Sequence, residues 1–246
     1  MRTRSLQLRY LLFGLLAVGL LTGCVTRSSE SDLAAGASES AALTEPPEPH
    51  AAAPSDTPVR PADAQSITVT AAPTPLTPEA LWQQLQQPGE TLYVVLLRHA
   101  LAPGTGDPAN FQLGDCSTQR NLSAEGRAQA AAIGQAFRDR GVAVQQVLSS
   151  QWCRCLATAE LMNLGDVTPE PALNSFFRDR RTAEAQTLAV KQSLLTQAER
   201  PGVIVMVTHQ VNITGLTGIV PRSGEAVVVQ VAETGLTQIG QFLPAP

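Results

Sequence analysis

Histidine is scarce in this sequence, whose 246 residues include only three: His50, His99 and His209. Chemistry that needs an imidazole therefore has few candidates. Basic residues are also too few for the footprint of a nucleic-acid-binding protein, because 17 Lys and Arg stand against 21 Asp and Glu and the formal net charge is -4. Hydrophobic residues make up 43% and charged residues 15% of the chain, which is typical of a globular protein.

The apolar run near the N-terminus is short. It extends from Tyr10 to Leu21, whereas a helix needs about 20 apolar residues to span a bilayer comfortably. Three arginines precede the run, and "LTGC" (Leu21 to Cys24) ends it. A positive segment, an apolar segment and then small residues is the order found in signal peptides. We therefore expect residues 1–24 to lie outside the fold.

The same segment resembles a bacterial lipoprotein signal, whose lipobox carries Leu, a small residue, Gly and then the Cys that becomes lipidated. The resemblance implies that Cys24 becomes the acylated N-terminus of the mature protein. It also implies export to the bacterial cell envelope, where the lipid anchor would hold the protein at a membrane. The alternative is an ordinary cleaved signal peptide with an incidental cysteine.

Residues 25–78 have a different composition, rich in Ala, Pro, Ser, Thr and Glu, with nine of the chain's 18 prolines. Large apolar side chains are nearly absent, so burial cannot offset the entropy lost on ordering. We predict a disordered tether, which as a flexible coil would span roughly 40 Å. His50 lies in this tether and is treated as incidental, which leaves His99 and His209 for chemistry.

Residues 79–246 are enough for one domain with a hydrophobic core. Two apolar runs without alternation, Thr91 to Leu97 and Gly202 to His209, are typical of strands buried on both faces. Other strands are predicted at "QQVLSS", "EAVVVQV" and "LTQIGQF", and helices at "TPEALWQQL", "LSAEGRAQAAAIGQAFRDRG", "WCRCLATAELM" and 182–198. The alternation predicts a three-layer α/β/α sandwich with a mostly parallel central sheet.

Four groups that are costly to bury follow the predicted strands. Arg98 and His99 end the first buried strand, His209 ends the second, and Arg154 lies just after "VLSS". Ligands in such sheets bind beyond the carboxyl ends of the strands, so these four side chains should meet at one edge. Two guanidinium groups and two imidazoles indicate an anion site, and phosphate suits the paired donors of arginine best.

Three segments resemble the signature blocks of the histidine phosphatase superfamily: "LLRHA", "VLSSQWCRCLATAELM" and "VTHQVNITGLTG". In addition, "NLSAEGRAQA" resembles the helix between the first two, and the resemblance covers residues 91–242. It implies the phosphoglycerate mutase-like fold and hydrolysis of a phosphomonoester or related small phosphoryl compound. His99 would be the nucleophile that becomes phosphohistidine, Arg98 and Arg154 the phosphate clamp, and His209 the second histidine beside the transferring group. The resemblance implies no metal and no cofactor.

The chemistry sets two further expectations. His99 must present a neutral nitrogen for attack, so its other ring nitrogen should donate to a fixed acceptor, which we expect to be backbone. Protonated His209 would then join Arg98 and Arg154 in stabilising the charge of the phosphoryl group in flight. The family's usual glycine after the nucleophile is Ala100 in this chain.

The general acid is not assigned by the sequence. Family members that cleave alkyl phosphates usually carry a glutamate after the second block, where this chain has Ser175. Four other carboxylates lie in the nearby stretch or in the long loop after His99, namely Asp179, Glu184, Asp107 and Asp115. Any of them, or none, could protonate the leaving group.

The remaining cysteines are Cys116, Cys153 and Cys155, which export would place in an oxidising compartment. Cys153 and Cys155 are too close along one helix to bond each other. We therefore predict that Cys116 bonds one of them and pins the loop after His99 beside Arg154. Three buried free thiols are the alternative.

Three functions are compatible with these residues: an envelope-tethered phosphatase, a catalytically weak pseudoenzyme that binds a phosphorylated ligand, and a mutase. Intact Arg98, His99, Arg154 and His209 argue against the pseudoenzyme. A mutase would need a phosphorylated donor that an exported protein is poorly placed to obtain.

Overall fold

The computed structural model describes residues 67–72 and 74–245. The predicted signal segment with Cys24, and the greater part of the predicted tether with His50, lie outside these residues. Within the part that is described, no helix is both long and apolar enough to cross a membrane.

Seven strands and five helices alternate along the described chain. The strands are β1 (Val69–Ala71), β2 (Leu92–Arg98), β3 (Val144–Ser149), β4 (Val167–Pro169), β5 (Gly202–Thr208), β6 (Ala226–Ala232) and β7 (Gly235–Phe242). The helices are α1 (Pro78–Gln86), α2 (Ala124–Asp139), α3 (Cys153–Met162), α4 (Ala183–Leu195) and α5 (Gln210–Thr217). Two predicted helix starts are capped, because the Thr77 hydroxyl accepts from the Ala80 N–H and the Ser123 hydroxyl accepts from the Gly126 N–H.

The strands form one sheet in the order β1-β7-β6-β2-β5-β3-β4. Within it β6 alone runs against the other strands, pairing antiparallel with β2 and with β7. The remaining pairs are parallel. The predicted mostly parallel sheet is confirmed, with β2 and β5 side by side at its centre.

Helices cover both faces of the sheet. Tyr93, Val95 and Leu97 of β2 belong to a core cluster that includes residues of α1, α2 and α3. Leu92, Val94 and Leu96 belong to a second cluster with residues of α4 and α5. Because both faces of β2 are buried, its sequence shows no alternation of apolar and polar residues. The predicted three-layer α/β/α sandwich is confirmed.

The structure moves one predicted boundary and adds elements. β1 lies inside the 25–78 segment that composition assigns to the tether, and it pairs with β7 at the sheet edge. Ile67 and Val69 pack against the second core cluster, so a few β-branched residues suffice to order this stretch. The folded part therefore begins before residue 78. The short elements β4 and α5 were not predicted.

Candidate active site

The carboxyl ends of β2, β3 and β5 meet at one edge of the sheet. Arg98 pairs in register with Thr208, which places His99 and His209 on adjacent strand ends. Ser149 ends β3 beside Val207, and α3 begins four residues later. Parallel register is therefore what brings together side chains that are far apart in sequence.

A cavity of about 210 Å³ lies at this edge. It contains all four residues predicted for the site, Arg98, His99, Arg154 and His209. Its other lining residues are Gly104, Thr105, Gly106, Asp107, Arg120, Trp152, Ser175, Phe177, Arg178, Gln210 and Val211. The structure places the predicted residues together, and their catalytic roles remain predictions.

His99 is held as a neutral imidazole. Its Nδ1 lies 2.8 Å from the carbonyl oxygen of Ala100, so Nδ1–H donates to that carbonyl and Nε2 keeps its lone pair. Burial, and then the charge of Arg154, lower the pKa of His99 to about 3. The predicted backbone acceptor is thus the residue next in sequence. Ala100 is tolerated in place of glycine because its φ is not positive.

His209 is buried and joined to a hydrogen-bond chain. Its Nε2 lies 2.9 Å from Ser150 Oγ, which donates to Asn174 Oδ1 at 3.2 Å. A hydroxyl has one hydrogen, so His209 Nε2–H is the donor to Ser150 and Nδ1 is unprotonated. Burial, and then the neighbouring His99 and Arg154, lower the pKa of His209 well below its ordinary value. The expectation that His209 is protonated beside a phosphoryl group in flight remains a prediction.

The two predicted arginines are only partly free to bind an anion. Arg154 Nη1 and Nη2 contact the carboxylate of Asp107 at 2.7 and 3.2 Å, and Nη2 is also 3.4 Å from His209 Nδ1. Arg98 Nη1 donates to the carbonyl of Pro221 at 2.9 Å. The Nε donors of both arginines are buried without a partner. Such unpartnered buried donors are costly.

Two further arginines, which were not predicted from the sequence, also line the pocket. Arg120 donates to the carbonyls of Gly106 and Ala102, and so braces the loop after His99. Burial, and then repulsion from Arg154, lower the pKa of both Arg98 and Arg120. Arg178 is exposed at the mouth of the pocket. No strand end precedes either residue, so the pattern that identified Arg98 and Arg154 could not identify them.

Among the described residues that line the pocket, Asp107 is the only carboxylate. Burial alone would raise the pKa of Asp107, but hydrogen bonds from Arg154, the Arg120 N–H and Trp152 bring it below the usual value. Asp107 is therefore ionised and paired, which does not suit a proton donor. Ser175, which the family resemblance places where a glutamate is usual, also lines the pocket.

The other three candidate acids lie outside the pocket. Asp179 pairs with Arg181 at 2.8 Å, and that hydrogen bond lowers the pKa of Asp179 to about 2. Asp115 caps the short turn at Cys116–Thr118 and is exposed. Glu184 is exposed in the first turn of α4. The structure therefore gives none of the three the position of a general acid.

A disulfide joins Cys116 to Cys153, which confirms the predicted bridge and identifies the partner. The bond ties the loop after His99 to the first turn of α3, next to Arg154. Cys155 is a buried free thiol, and burial raises its pKa to about 12. This thiol is therefore neutral and unreactive.

Loss of the disulfide should destabilise the domain. The bond spans 37 residues, for which chain entropy gives about 4 kcal/mol. We expect the variant with Cys116→Ala and Cys153→Ala to unfold roughly 10 °C below the wild type. Reductant should lower the melting temperature of the wild type and leave that of the double variant unchanged. With Cys24 replaced, the denatured and unreduced protein should contain one free thiol, whereas three would contradict the bridge.

The buried histidines should also make stability depend on pH. An imidazole in the unfolded chain titrates near 6.5, whereas His99 in the folded domain titrates at about 3. As pH falls below about 6.5, the unfolded chain takes up protons that the folded domain does not, so the free energy of unfolding decreases until about pH 3. Each buried histidine contributes at most about 1.4 kcal/mol per pH unit.

Urea unfolding at several pH values between 7 and 4 measures this dependence. The His99→Ala variant should lose stability less steeply with falling pH than the wild type does. Identical slopes for the two proteins would show that His99 is not held neutral by the fold.

Comparison with known proteins gives one family match. Residues 94–177 match the model of the histidine phosphatase superfamily (branch 1). Arg98, His99 and Arg154 lie inside the matched segment, and His209 lies beyond it. A search of curated proteins finds no match.

Several solved structures are similar to this chain. One is the protein histidine phosphatase SixA complexed with tungstate, at 18% identity and a TM-score of 0.47, with 62% of this chain and 97% of that chain covered. Another is the alpha-ribazole phosphatase from Shigella flexneri, at 15% identity and a TM-score of 0.45, with coverage of 62% and 97%. A third is the phosphoserine phosphatase from Entamoeba histolytica in complex with 3-phosphoglyceric acid, at 14% identity and a TM-score of 0.44, with coverage of 61% and 96%.

The family match falls on the segment that supplies the nucleophile candidate and both predicted arginines, and the confirmed fold brings His209 to the same pocket. Residues 94–177 are thus similar to the histidine phosphatase superfamily, as the sequence motifs predict.

Proposed function

We propose that this domain hydrolyses a small phosphorylated compound through a phosphohistidine formed on His99. The observation that supports this most directly is the state of His99, a neutral imidazole whose Nδ1–H is bound to the Ala100 carbonyl. The lone pair on Nε2 is thereby available for attack in a pocket lined by the guanidinium groups of Arg98, Arg120 and Arg154. A nucleophile beside fixed cationic donors is what phosphoryl transfer requires.

The reaction has two steps. His99 Nε2 attacks phosphorus, the bond between phosphorus and the ester oxygen breaks, and the leaving group departs with that electron pair. Water then attacks the phosphohistidine, the P–N bond breaks, and inorganic phosphate and neutral His99 are regenerated. Arg98 and Arg154 stabilise the charge on the phosphoryl oxygens in both steps.

A bound phosphate would also change His209. A dianion beside the ring favours the protonated form and therefore raises the pKa of His209. His209 would then act as the third positive group, as the sequence predicts, only after substrate has bound. We further propose that no metal takes part, because Arg98, Arg120 and Arg154 supply positive charge at the site.

Hydrolysis of 4-nitrophenyl phosphate with the chelator EDTA present tests both proposals. We expect turnover that EDTA does not reduce. Vanadate binding without turnover would contradict the phosphatase and favour the binding pseudoenzyme. Activity that EDTA removes and a divalent cation restores would contradict metal independence. Transfer of the phosphoryl group to an added alcohol in preference to water would favour a mutase.

We propose in addition that the domain is tethered in the bacterial cell envelope through acylated Cys24. The lipobox-like "LTGC" supports this, and the disulfide between Cys116 and Cys153 is consistent with an oxidising compartment. The proline-rich segment that follows Cys24 would let the domain reach away from the membrane.

Replacement of the lipidated residue tests the anchor. We expect the wild type to enter the detergent phase on partitioning and the Cys24→Ser variant to be soluble or to retain its signal segment. Phosphatase activity per folded molecule should be equal in the two proteins, because Cys24 is remote in sequence from the pocket residues. A wild type found in the aqueous phase would contradict the anchor.

A further inference from the structure

One wall of the active-site pocket is aromatic. Trp152 lines the pocket directly before α3, and its ring meets the ring of His209 edge to face at a centroid distance of 5.4 Å. Phe111 stacks on Trp152, with centroids 4.9 Å apart and planes 23° from parallel. Because Trp152 Nε1 donates to Asp107 Oδ2 at 3.1 Å, the indole is fixed in orientation.

A second aromatic ring stands at the mouth of the same pocket. Phe177 lines the pocket, and 45% of its surface is exposed. The ring is close to the loop after His99, since its Cε1 lies 3.8 Å from the position that a Cβ on Gly106 would occupy. The exposed ring of Phe177 is therefore in a position to contact a ligand that enters the pocket.

The segment that carries Phe177 is anchored before substrate arrives. Its neighbour Phe176 is buried, with 5% exposure. Asn174 accepts from the Ser150 hydroxyl and from the Gln151 N–H, and so ties the segment to the loop before α3 that carries Trp152. The two rings are thus presented by backbone segments that are bonded to each other.

The pocket presents both charged groups and aromatic rings. Arg98, Arg154 and His209 lie at the strand ends, where the phosphoryl group would bind. Trp152 and Phe177 line the same pocket, and Phe177 is partly exposed to solvent. The only carboxylate among the described lining residues, Asp107, is engaged by Arg154 and Trp152. Trp152 and Phe177 are therefore the two aromatic side chains of the lining against which an apolar leaving group could pack.

We propose that the substrate is an aryl phosphate, whose ring binds against Trp152 and Phe177. This inference rests on the proposed phosphatase function and names the substrate class for it. An aromatic pair contributes about 0.5–1.5 kcal/mol beyond the burial of its area, which corresponds to roughly 2- to 12-fold in kcat/KM for one ring contact.

The test compares benzyl phosphate with 2-methoxyethyl phosphate. The two parent alcohols are of similar acidity, so a difference in kcat/KM reports recognition of the ring and not ease of departure. We expect benzyl phosphate to be the better substrate of the wild type. The Phe177→Ala variant should lose roughly 2- to 12-fold in kcat/KM for benzyl phosphate and little for the methoxyethyl ester.

Two matched variants serve as controls. Phe177→Tyr keeps the ring and should keep the preference. Leu188→Ala removes an apolar side chain on α4 that is 38% exposed and lies outside the pocket. This variant should leave kcat/KM unchanged for both substrates. Inhibition by inorganic phosphate should be equal in the wild type and in Phe177→Ala, because the anion site is separate from the ring.

The outcomes separate the inference from the function it rests on. No turnover of either ester or of 4-nitrophenyl phosphate would overturn the phosphatase. Turnover of both esters at equal kcat/KM by the wild type would overturn the aromatic subsite and leave the phosphatase standing. An equal loss of kcat/KM on both substrates in Phe177→Ala would also overturn the aromatic subsite and leave the phosphatase standing.

Discussion

The kcat of the His99→Ala variant is expected to be roughly 10³-fold or more below that of the wild type, which is the usual effect of removing a covalent nucleophile. The reason is that Nε2 of His99 forms the bond to phosphorus, and no other described residue of the pocket holds a neutral nucleophile in the same place. Phosphate or vanadate should still bind, because Arg98 and Arg154 do not depend on the His99 side chain for their partners. Turnover is measured with 4-nitrophenyl phosphate and binding by calorimetry.

Two other variants check that the loss belongs to the nucleophile. His50→Ala removes the one histidine assigned to the tether and should leave turnover unchanged. Arg154→Lys keeps the charge but loses the paired donors that contact Asp107, and should weaken both turnover and anion binding. Undiminished hydrolysis by His99→Ala would overturn the assignment.

A steep dependence of rate on leaving-group pKa is the second large effect expected. General acid catalysis is typically worth about 10²- to 10⁴-fold, and the pocket presents no carboxylate free to supply it. Aryl phosphates, acyl phosphates and phosphoramidates should therefore be hydrolysed much faster than sugar or glycerol phosphates. A series of substituted phenyl phosphates measures the slope with the ring held constant, so recognition by Phe177 does not enter.

The slope must be measured on the phosphorylation step, since hydrolysis of the phosphohistidine is common to all substrates. Asp179→Asn and Glu184→Gln should leave it unchanged, because both carboxylates lie outside the pocket. A flat series, with phosphorylation shown to limit the rate, would mean that an acid acts after all. Asp107→Asn is then the first variant to make, and an acid role for Asp107 would require substrate to release it from Arg154.

The sequence predicted the architecture and the strand-end residues for a physical reason. Strands buried on both faces have unbroken runs of apolar residues, which is why β2 and β5 could be predicted. A charged residue at the carboxyl end of such a strand lies at the edge of the sheet where ligands bind. Arg98, His99 and His209 follow directly. Cys116 and Cys153 were candidates because bonding within one helix was excluded.

The missed features depend on tertiary contacts. The pairing of Asp107 with Arg154 and the position of Arg120 arise because a long loop folds back over the strand ends, and nothing local in that loop specifies the contact. The neutral state of His209 depends on complete burial, which residue type alone does not reveal. The short strand β1 was assigned to the tether because the composition of the whole segment hides the few apolar residues that pack this strand against the core.

The central claim is a phosphohistidine on His99, and trapping it is the most direct test. Enzyme mixed with an excess of an aryl phosphate, quenched in alkali during steady turnover and digested, should yield one phosphopeptide, with the phosphoryl group on the histidine of "LLRHA". The label should be lost in acid and should be absent from His99→Ala. A phosphoryl group found on His209 instead, or active turnover with no labelled histidine at any time after mixing, would contradict the account.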